Sequence, residues 1–237
     1  MQKVVSLIGA DTTLGFSLKK LKYRVFSHSD LDIRKPKQYF NIINKGNPDT
    51  FIICYSNLDS QVSLLYDHYR MIQQLGKHII IFLDECIYDG YQDVSIHDEF
   101  KKPLSETEQG RSQIVIEDKL IKNSNCLIFR VGRFWAKQTG YLHNLVHRTD
   151  WDWKVSYSLT SEETLLAGVS YAIDAKISWK YNLVDKGIVT DYELGNFING
   201  NECESESDYT LGLDGRRWEG ITMTEAKTWQ EGVMSWK

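Results

Sequence analysis

Apolar residues along this chain come in short, dense runs, each closed by a polar or glycine-bearing turn. Lys3-Val4-Val5-Ser6-Leu7-Ile8, Thr50-Phe51-Ile52-Ile53-Cys54-Tyr55, Lys77-His78-Ile79-Ile80-Ile81-Phe82-Leu83 and Cys126-Leu127-Ile128-Phe129-Arg130-Val131 are continuous rather than alternating. Runs of that kind predict strands buried on both faces, as in a parallel sheet covered by helices. Over 61–75, Val62, Leu65, Tyr69 and Ile72 recur at three- and four-residue spacing, which makes one apolar stripe of a helix. Further helices are expected over 16–21, over 36–45 with Pro36 in the first turn, and over 110–122. Tyr23-Arg24-Val25-Phe26-Ser27 reads as a second strand, and Asn47-Pro48-Asp49 as a turn. Strand and helix therefore alternate with short connections through Val131. This predicts an α/β class, a doubly wound parallel sheet. The expected organisation is a core over 1–131 followed by a smaller lobe over 132–237.

The first strand is the most informative. It ends in Gly9, and Gly15 follows six residues on, with Thr12 between. A strand, a glycine turn and a helix N-terminus together aim backbone N–H groups and a positive dipole end at one spot, a geometry that suits a pyrophosphate. The full dinucleotide signature has a third glycine where this chain has Thr12. Asp11 adds a carboxylate beside the turn. The tip of the second strand, Ser27-His28, lacks the acid that would hold an adenosine ribose, so NADP is expected over NAD if either binds.

Composition narrows the classes. The chain has 237 residues, 42% of them apolar, enough for one large α/β domain or a domain with a small appendage. Only three prolines occur, and no low-complexity linker divides the sequence. A formal net charge of -4 with no basic stripe argues against nucleic-acid binding. No apolar run approaches the ~18 residues of a membrane span, and the N-terminus lacks a signal-peptide layout. Cys54, Cys86, Cys126 and Cys203 are scattered without a CxxC pair. Reduced thiols, a cytoplasmic location and no metal site are the expectation.

Taken in order, several segments resemble the extended short-chain dehydrogenase/reductase superfamily, in particular the dTDP-4-dehydrorhamnose reductases and related sugar-nucleotide reductases. Leu31-Asp32-Ile33 before Pro36 looks like "LDI-x-x-P", and Asn47-Pro48-Asp49-Thr50-Phe51-Ile52-Ile53 like "xPDxVIN". Cys86-Ile87-Tyr88-Asp89-Gly90 looks like "YVFDG", and Leu127-Ile128-Phe129-Arg130 like "LILRT". Pro103-Leu104-Ser105 and Gly110-Arg111-Ser112, with Glu117 and Leu120, look like "PLNxYGxSKxxGExxL". Tyr181-Asn182-Leu183-Val184, Val189-Thr190-Asp191-Tyr192-Glu193-Leu194 and Thr228-Trp229-Gln230-Glu231-Gly232-Val233 extend the likeness to the C-terminus.

The resemblance implies a Rossmann-type NAD(P)-binding domain, a small substrate lobe and hydride transfer to a nucleotide-linked keto sugar. It implies cofactor contacts at Gly9, Thr12, Thr13, Leu14 and Gly15, at Ser27, His28, Asp32 and Ile33, and at Cys54 and Tyr55. On the substrate side it implies Glu85, Tyr88 and Arg133. The family's machinery is a Ser or Thr, with a Tyr and a Lys four residues apart. Here the Ser/Thr positions hold Leu83 and Asp84, the tyrosine position Gln109 and the lysine position Gln113. Glutamine offers no proton as an acid and no charge. Arg133 replaces an aromatic residue of the sugar pocket and could reach a phosphate or carboxylate.

Three readings follow. A degenerate member would bind a nucleotide or nucleotide sugar, with NADP or NAD held weakly or not at all. It would act as a binding or regulatory protein, as the regulatory subunit of methionine adenosyltransferase does within the same superfamily. An enzyme with relocated chemistry would draw on Asp84, Glu85, Tyr88 and His97. A scaffold would use the aromatic stretch from Trp151-Asp152-Trp153 to Tyr157 against a protein partner or a second copy.

Overall fold

The computed structural model describes residues 4–26, 41, 45–54, 70, 76–93, 95–136, 139–140, 155–200, 209–222 and 226–236. Its strands are β1 (Val5–Ile8), β2 (Arg24–Phe26), β3 (Thr50–Ile53), β4 (His78–Asp84), β5 (Cys126–Val131), β6 (Arg133–Ala136), β7 (Thr139–Gly140), β8 (Val155–Tyr157), β9 (Leu159–Ser161), β10 (Trp179–Leu183), β11 (Val189–Thr190) and β12 (Tyr209–Thr210). The helices are α1 (Thr13–Leu18), α2 (Glu108–Leu120), α3 (Glu162–Ala175), α4 (Asp191–Ile198), α5 (Arg216–Thr222) and α6 (Trp229–Trp236).

The four continuous apolar runs become the middle of one sheet. Six strands pair in the order β10-β5-β4-β3-β1-β2, every pair parallel. Successive side chains of a strand point to opposite faces, and both faces are covered. Leu127, Phe129 and Val131 of β5 join Leu7, Ile52, Ile80, Tyr181 and Leu183 in one core with Leu165, Val169 and Ala172 of α3. Arg130, between them in sequence, turns the other way and binds Glu117 of α2. The Rossmann-like, doubly wound parallel sheet expected from the sequence is thus observed.

The chain after residue 131 also supplies a strand of this sheet: β10 returns to pair with β5. Without it, the outer edge of β5, a fully buried strand, would lack its ladder partner. The first helix begins at Thr13 rather than Phe16, because the Thr12 hydroxyl caps it, and it tightens into a 3-10 turn at Lys19–Leu21. Residues after 132 also form two small three-stranded sheets, β7-β6-β9 and β11-β8-β12.

Candidate functional site

The chain reverses direction across the sheet at β1, with β2 on one side and β3 on the other. In open α/β sheets the ligand crevice lies at such a point, beyond the carboxyl ends of the strands. Gly9 closes β1 there with φ +78, and a Cβ on it would lie 1.8 Å from the carbonyl oxygen of Cys54 at the end of β3. Glycine is required on both counts. A Cβ on Gly15 would meet the Gly9 carbonyl at 2.0 Å, so helix and turn pack backbone to backbone. Thr12 fills the turn from within. Its hydroxyl donates to the Gly9 carbonyl at 2.8 Å and accepts from the Gly15 N–H at 3.0 Å. One donor of the phosphate-type loop is therefore already engaged. Thr13 is exposed, as is Asp11, while Leu14 packs partly against the core. Cys54 is buried, which pushes its thiol up and leaves it a packing residue. Ser27, His28, Asp32, Ile33 and Tyr55 lie outside the described residues, as does the stretch Trp151-Asp152-Trp153.

At the tip of β4 Asp84, Gln109 and Gln113, the residues that the resemblance set against the reductase machinery, meet in one network. Asp84 Oδ2 accepts from Gln109 Nε2 at 2.8 Å and from Gln113 Nε2 at 3.0 Å. The Asp84 N–H donates to Gln113 Oε1 at 2.9 Å, and Asp84 Oδ1 accepts from the Cys86 N–H at 3.0 Å. A carboxylate only accepts, so both amide groups must turn their nitrogen toward it; the orientation follows from the chemistry. Gln109 and Gln113 sit in the first turns of α2, which Thr107 caps by accepting from the Gly110 N–H at 3.1 Å. Gly110 lets that turn sit against the segment after β4, since a Cβ there would meet Cys86 O at 2.3 Å. Leu83 points into the core instead.

Beside this network Glu85 opens a 3-10 turn, Glu85–Tyr88, and is only 8% exposed. Its Oε1 lies 3.4 Å from Arg133 Nε, at the start of β6. Its Oε2 is buried without a hydrogen-bond partner. Burial and then the neighbouring Asp84 push this carboxyl up to about 7, against the pull of Arg133. Arg133 also reaches Asp191 Oδ1 at 3.2 Å and stacks on the Tyr157 ring at 3.6 Å from its centroid. The Tyr157 hydroxyl donates to Asp191. Asp191 and Tyr157 were not singled out as site residues from the sequence. The available signal was the pattern Thr190-Asp191-Tyr192-Glu193, which forms a capping box and puts an acid in the first turn of α4.

Tyr88 requires a correction. It is fully buried, and its hydroxyl accepts from Arg130 and faces the carbonyls of Asp98 at 3.2 Å and Lys101 at 3.3 Å. Three residues along the 3-10 turn from Glu85, it points into the protein and belongs to a structural network. His97 joins it there, with ring centroids 4.4 Å apart. Both His97 ring nitrogens are buried without a partner, and burial lowers its pKa below the ordinary histidine value. Asp84, Glu85, Tyr88 and His97 thus divide into two groups: the first two lie with the amide and Arg133 network, the last two in a packed aromatic cluster. Among the described residues no group of three His, Cys, Asp or Glu is placed to hold a metal ion. No described helix is long and apolar enough to cross a membrane.

No family model matches the sequence, and no curated protein matches it. Solved structures do match in shape. The chain is similar in fold to dTDP-4-dehydrorhamnose reductases. The enzyme of Bacillus anthracis, solved in complex with NADP, superposes with a TM-score of 0.81 at 15% identity, over 100% of this chain and 99% of that one. The Clostridium acetobutylicum dTDP-4-dehydrorhamnose reductase gives 0.80 at 17% identity, over 98% and 97%. The UDP-rhamnose synthase of Acanthamoeba polyphaga mimivirus gives 0.75 at 12% identity, over 100% of both chains. The likeness spans both the central sheet and the residues after 132.

Proposed function

We propose that this chain is a nucleotide- or nucleotide-sugar-binding protein built on a reductase fold, without the family's redox activity and linked to sugar-nucleotide metabolism. The names of the neighbouring folds support the ligand class. One observation carries the loss of chemistry: Asp84, Gln109 and Gln113 satisfy one another. A hydride-transfer site needs a proton donor poised near neutrality and a cation to tune it. At these positions there are two neutral amides and a carboxylate that fixes both.

The fit to a nicotinamide cofactor divides along its length. The turn at Gly9 and Gly15 has the backbone shape for a pyrophosphate, but Thr12 already occupies the Gly15 N–H. At the reactive end, the position of the family's lysine holds Gln113, tied to Asp84. NADP or NAD is therefore expected to bind weakly or not at all. Titration of NADPH and NADH by fluorescence, alongside thermal shift with dTDP- and UDP-sugars, tests both halves. The expected result is stabilisation by a sugar nucleotide with little change on adding dinucleotide. Oxidation of NADPH with a 4-keto nucleotide sugar near 1 s⁻¹ or above, roughly an ordinary enzymatic rate, would overturn the reading.

A second reading, an NAD(P)H-dependent reductase or epimerase with non-standard residues, is favoured by Glu85. A carboxyl poised at about 7 beside the strand tips can hold or release a proton at neutral pH. If that reading is right, the same assay shows turnover that Glu85→Gln abolishes while binding persists.

A further inference from the structure

We propose that the strand-tip site accepts a ligand portion without negative charge and rejects an acidic one, with Glu85 as the discriminating group. The proposal rests on the nucleotide-sugar reading and names the class of sugar that fits: neutral rather than uronate.

An arginine at a strand tip is ordinarily an anion receptor. Arg133 is already committed. Asp191 Oδ1 lies 3.2 Å from its Nη1, Glu85 Oε1 lies 3.4 Å from its Nε, and the Tyr157 ring covers one face of the guanidinium. Its single positive charge is answered by two carboxylates from different elements, the turn after β4 and the first turn of α4. Asp84 stands next to Glu85, and its Oδ2 is held by neutral amides. Three carboxylates against one guanidinium leave the ionised site negative. Among the described residues no further cation joins the cluster, so an added anion meets repulsion from its carboxylates.

Glu85 sets how strong that repulsion is. The groups facing it are Asp84 on β4, Arg133 on β6 with Asp191 of α4 behind it, and the Cys86 thiol on its own turn. The amides of α2 bind the adjacent Asp84, and the Tyr157 ring lies on the Arg133 guanidinium. Glu85 Oε2 is buried with no donor, an environment that penalises charge. Its carboxyl, pushed up to about 7, changes state around neutrality. The site is thus mildly negative at lower pH and strongly negative at higher pH. A hydroxyl- or keto-bearing sugar carries no charge and is indifferent to this field.

Calorimetric titration near pH 6 and pH 8 with UDP, UDP-glucose and UDP-glucuronic acid, with dTDP and dTDP-glucose in parallel, reads the discrimination directly. At pH 8 the neutral sugar nucleotide should bind about tenfold or more tightly than the uronate, with the ratio shrinking roughly threefold or more at pH 6. Glu85→Gln, and Glu85→Met as a second non-ionising variant, should remove most of the ratio between the two sugars, and its pH dependence, when both affinities are read within the same variant. Equal affinities for the two sugars in the unmodified protein at pH 8, or a ratio that neither variant moves, would overturn the proposal. If nucleotides bind but the sugars are not distinguished, the filter alone falls. If none of the five ligands binds, the nucleotide-sugar reading falls and the filter with it.

Discussion

Glu85 shows how one side chain ties stability to pH as well as to ligand choice. In the fold its carboxyl titrates at about 7, whereas in the unfolded chain it returns to the ordinary carboxylate range. Between those two values the fold holds a proton that the unfolded chain has released, so stability falls as pH rises through that window. Asp185 works in the same direction. Burial pushes it up to about 6, although Thr164 and Ser161 donate hydrogen bonds to it. Urea unfolding between pH 5 and pH 8 should show the unmodified protein losing on the order of 2 kcal/mol through Glu85, a loss absent from Glu85→Gln. Parallel pH profiles for the two proteins would mean the carboxyl is not held as described. Gly9 sets a conformational requirement of similar weight. Gly9→Ala combines a left-handed φ with a clash against Cys54 and should cost roughly 2 kcal/mol or more. The denaturation midpoint would report it.

At the scale of elements, α2 decides where Gln109 and Gln113 stand, and a buried ionic cluster holds α2. Arg130, fully buried on β5, binds Glu117 through Nε at 2.8 Å and Nη2 at 2.5 Å, and Lys180 of β10 adds a contact at 3.0 Å. Burial alone would raise the Glu117 carboxyl, yet Arg130 and Lys180 hold it below its ordinary value. Removing Glu117 leaves Arg130 buried without its carboxylate, and removing Arg130 leaves Glu117 buried with Lys180 as its remaining ion-pair partner among the described residues. Arg130→Met should therefore destabilise by roughly 3–5 kcal/mol, and Glu117→Leu added to it should recover a large part of that. If the double replacement is as unstable as the single one, packing rather than charge holds this helix. The same elements show what the sequence could reveal. Buried parallel strands read as unbroken apolar runs, so β1, β3, β4 and β5 were legible. Trp179-Lys180-Tyr181-Asn182 mixes polar and aromatic residues, and it occupies an outer position of the sheet, so β10 carried no such signature. The site was legible where neighbours in sequence are neighbours in space, as at Asp84 and Glu85. It was not legible where Arg133 finds Asp191 and Tyr157, because those contacts depend on how β6, β8 and α4 are brought together. Tyr88 was misread for a related reason: its burial depends on Arg130, Asp98 and His97, which are distant from it in sequence.

Over the whole molecule, the proposed loss of redox chemistry sets a reductase-like fold against other residues at the matched positions, and restoration tests it. The sheet, the glycine turn and the helix carrying the family positions are all in place, so Gln109→Tyr with Gln113→Lys returns the missing side chains to a suitable scaffold. The surrounding charges argue that this is insufficient. A tyrosine at position 109 would stand against Asp84, which raises a phenol's pKa when catalysis requires it lowered. A lysine at 113 would pair with that same carboxylate instead of tuning the phenol. Asp84 must also become Thr, the residue type that donates and accepts without charge. The expected outcome is that the double variant remains inactive toward a 4-keto nucleotide sugar with NADPH, and that any measurable oxidation first appears in the triple variant. Since one positioned acid is typically worth roughly 10²–10⁴ in rate, the step between the two should be visible well above background. Activity in the double variant equal to that of the triple would show that Asp84 does not control the site. Activity in neither, with both folded and binding sugar nucleotide, would place the loss elsewhere, at the Thr12 turn or in the negative field around Glu85. Adding Thr12→Gly and Glu85→Gln separately to the triple variant then distinguishes those two sources.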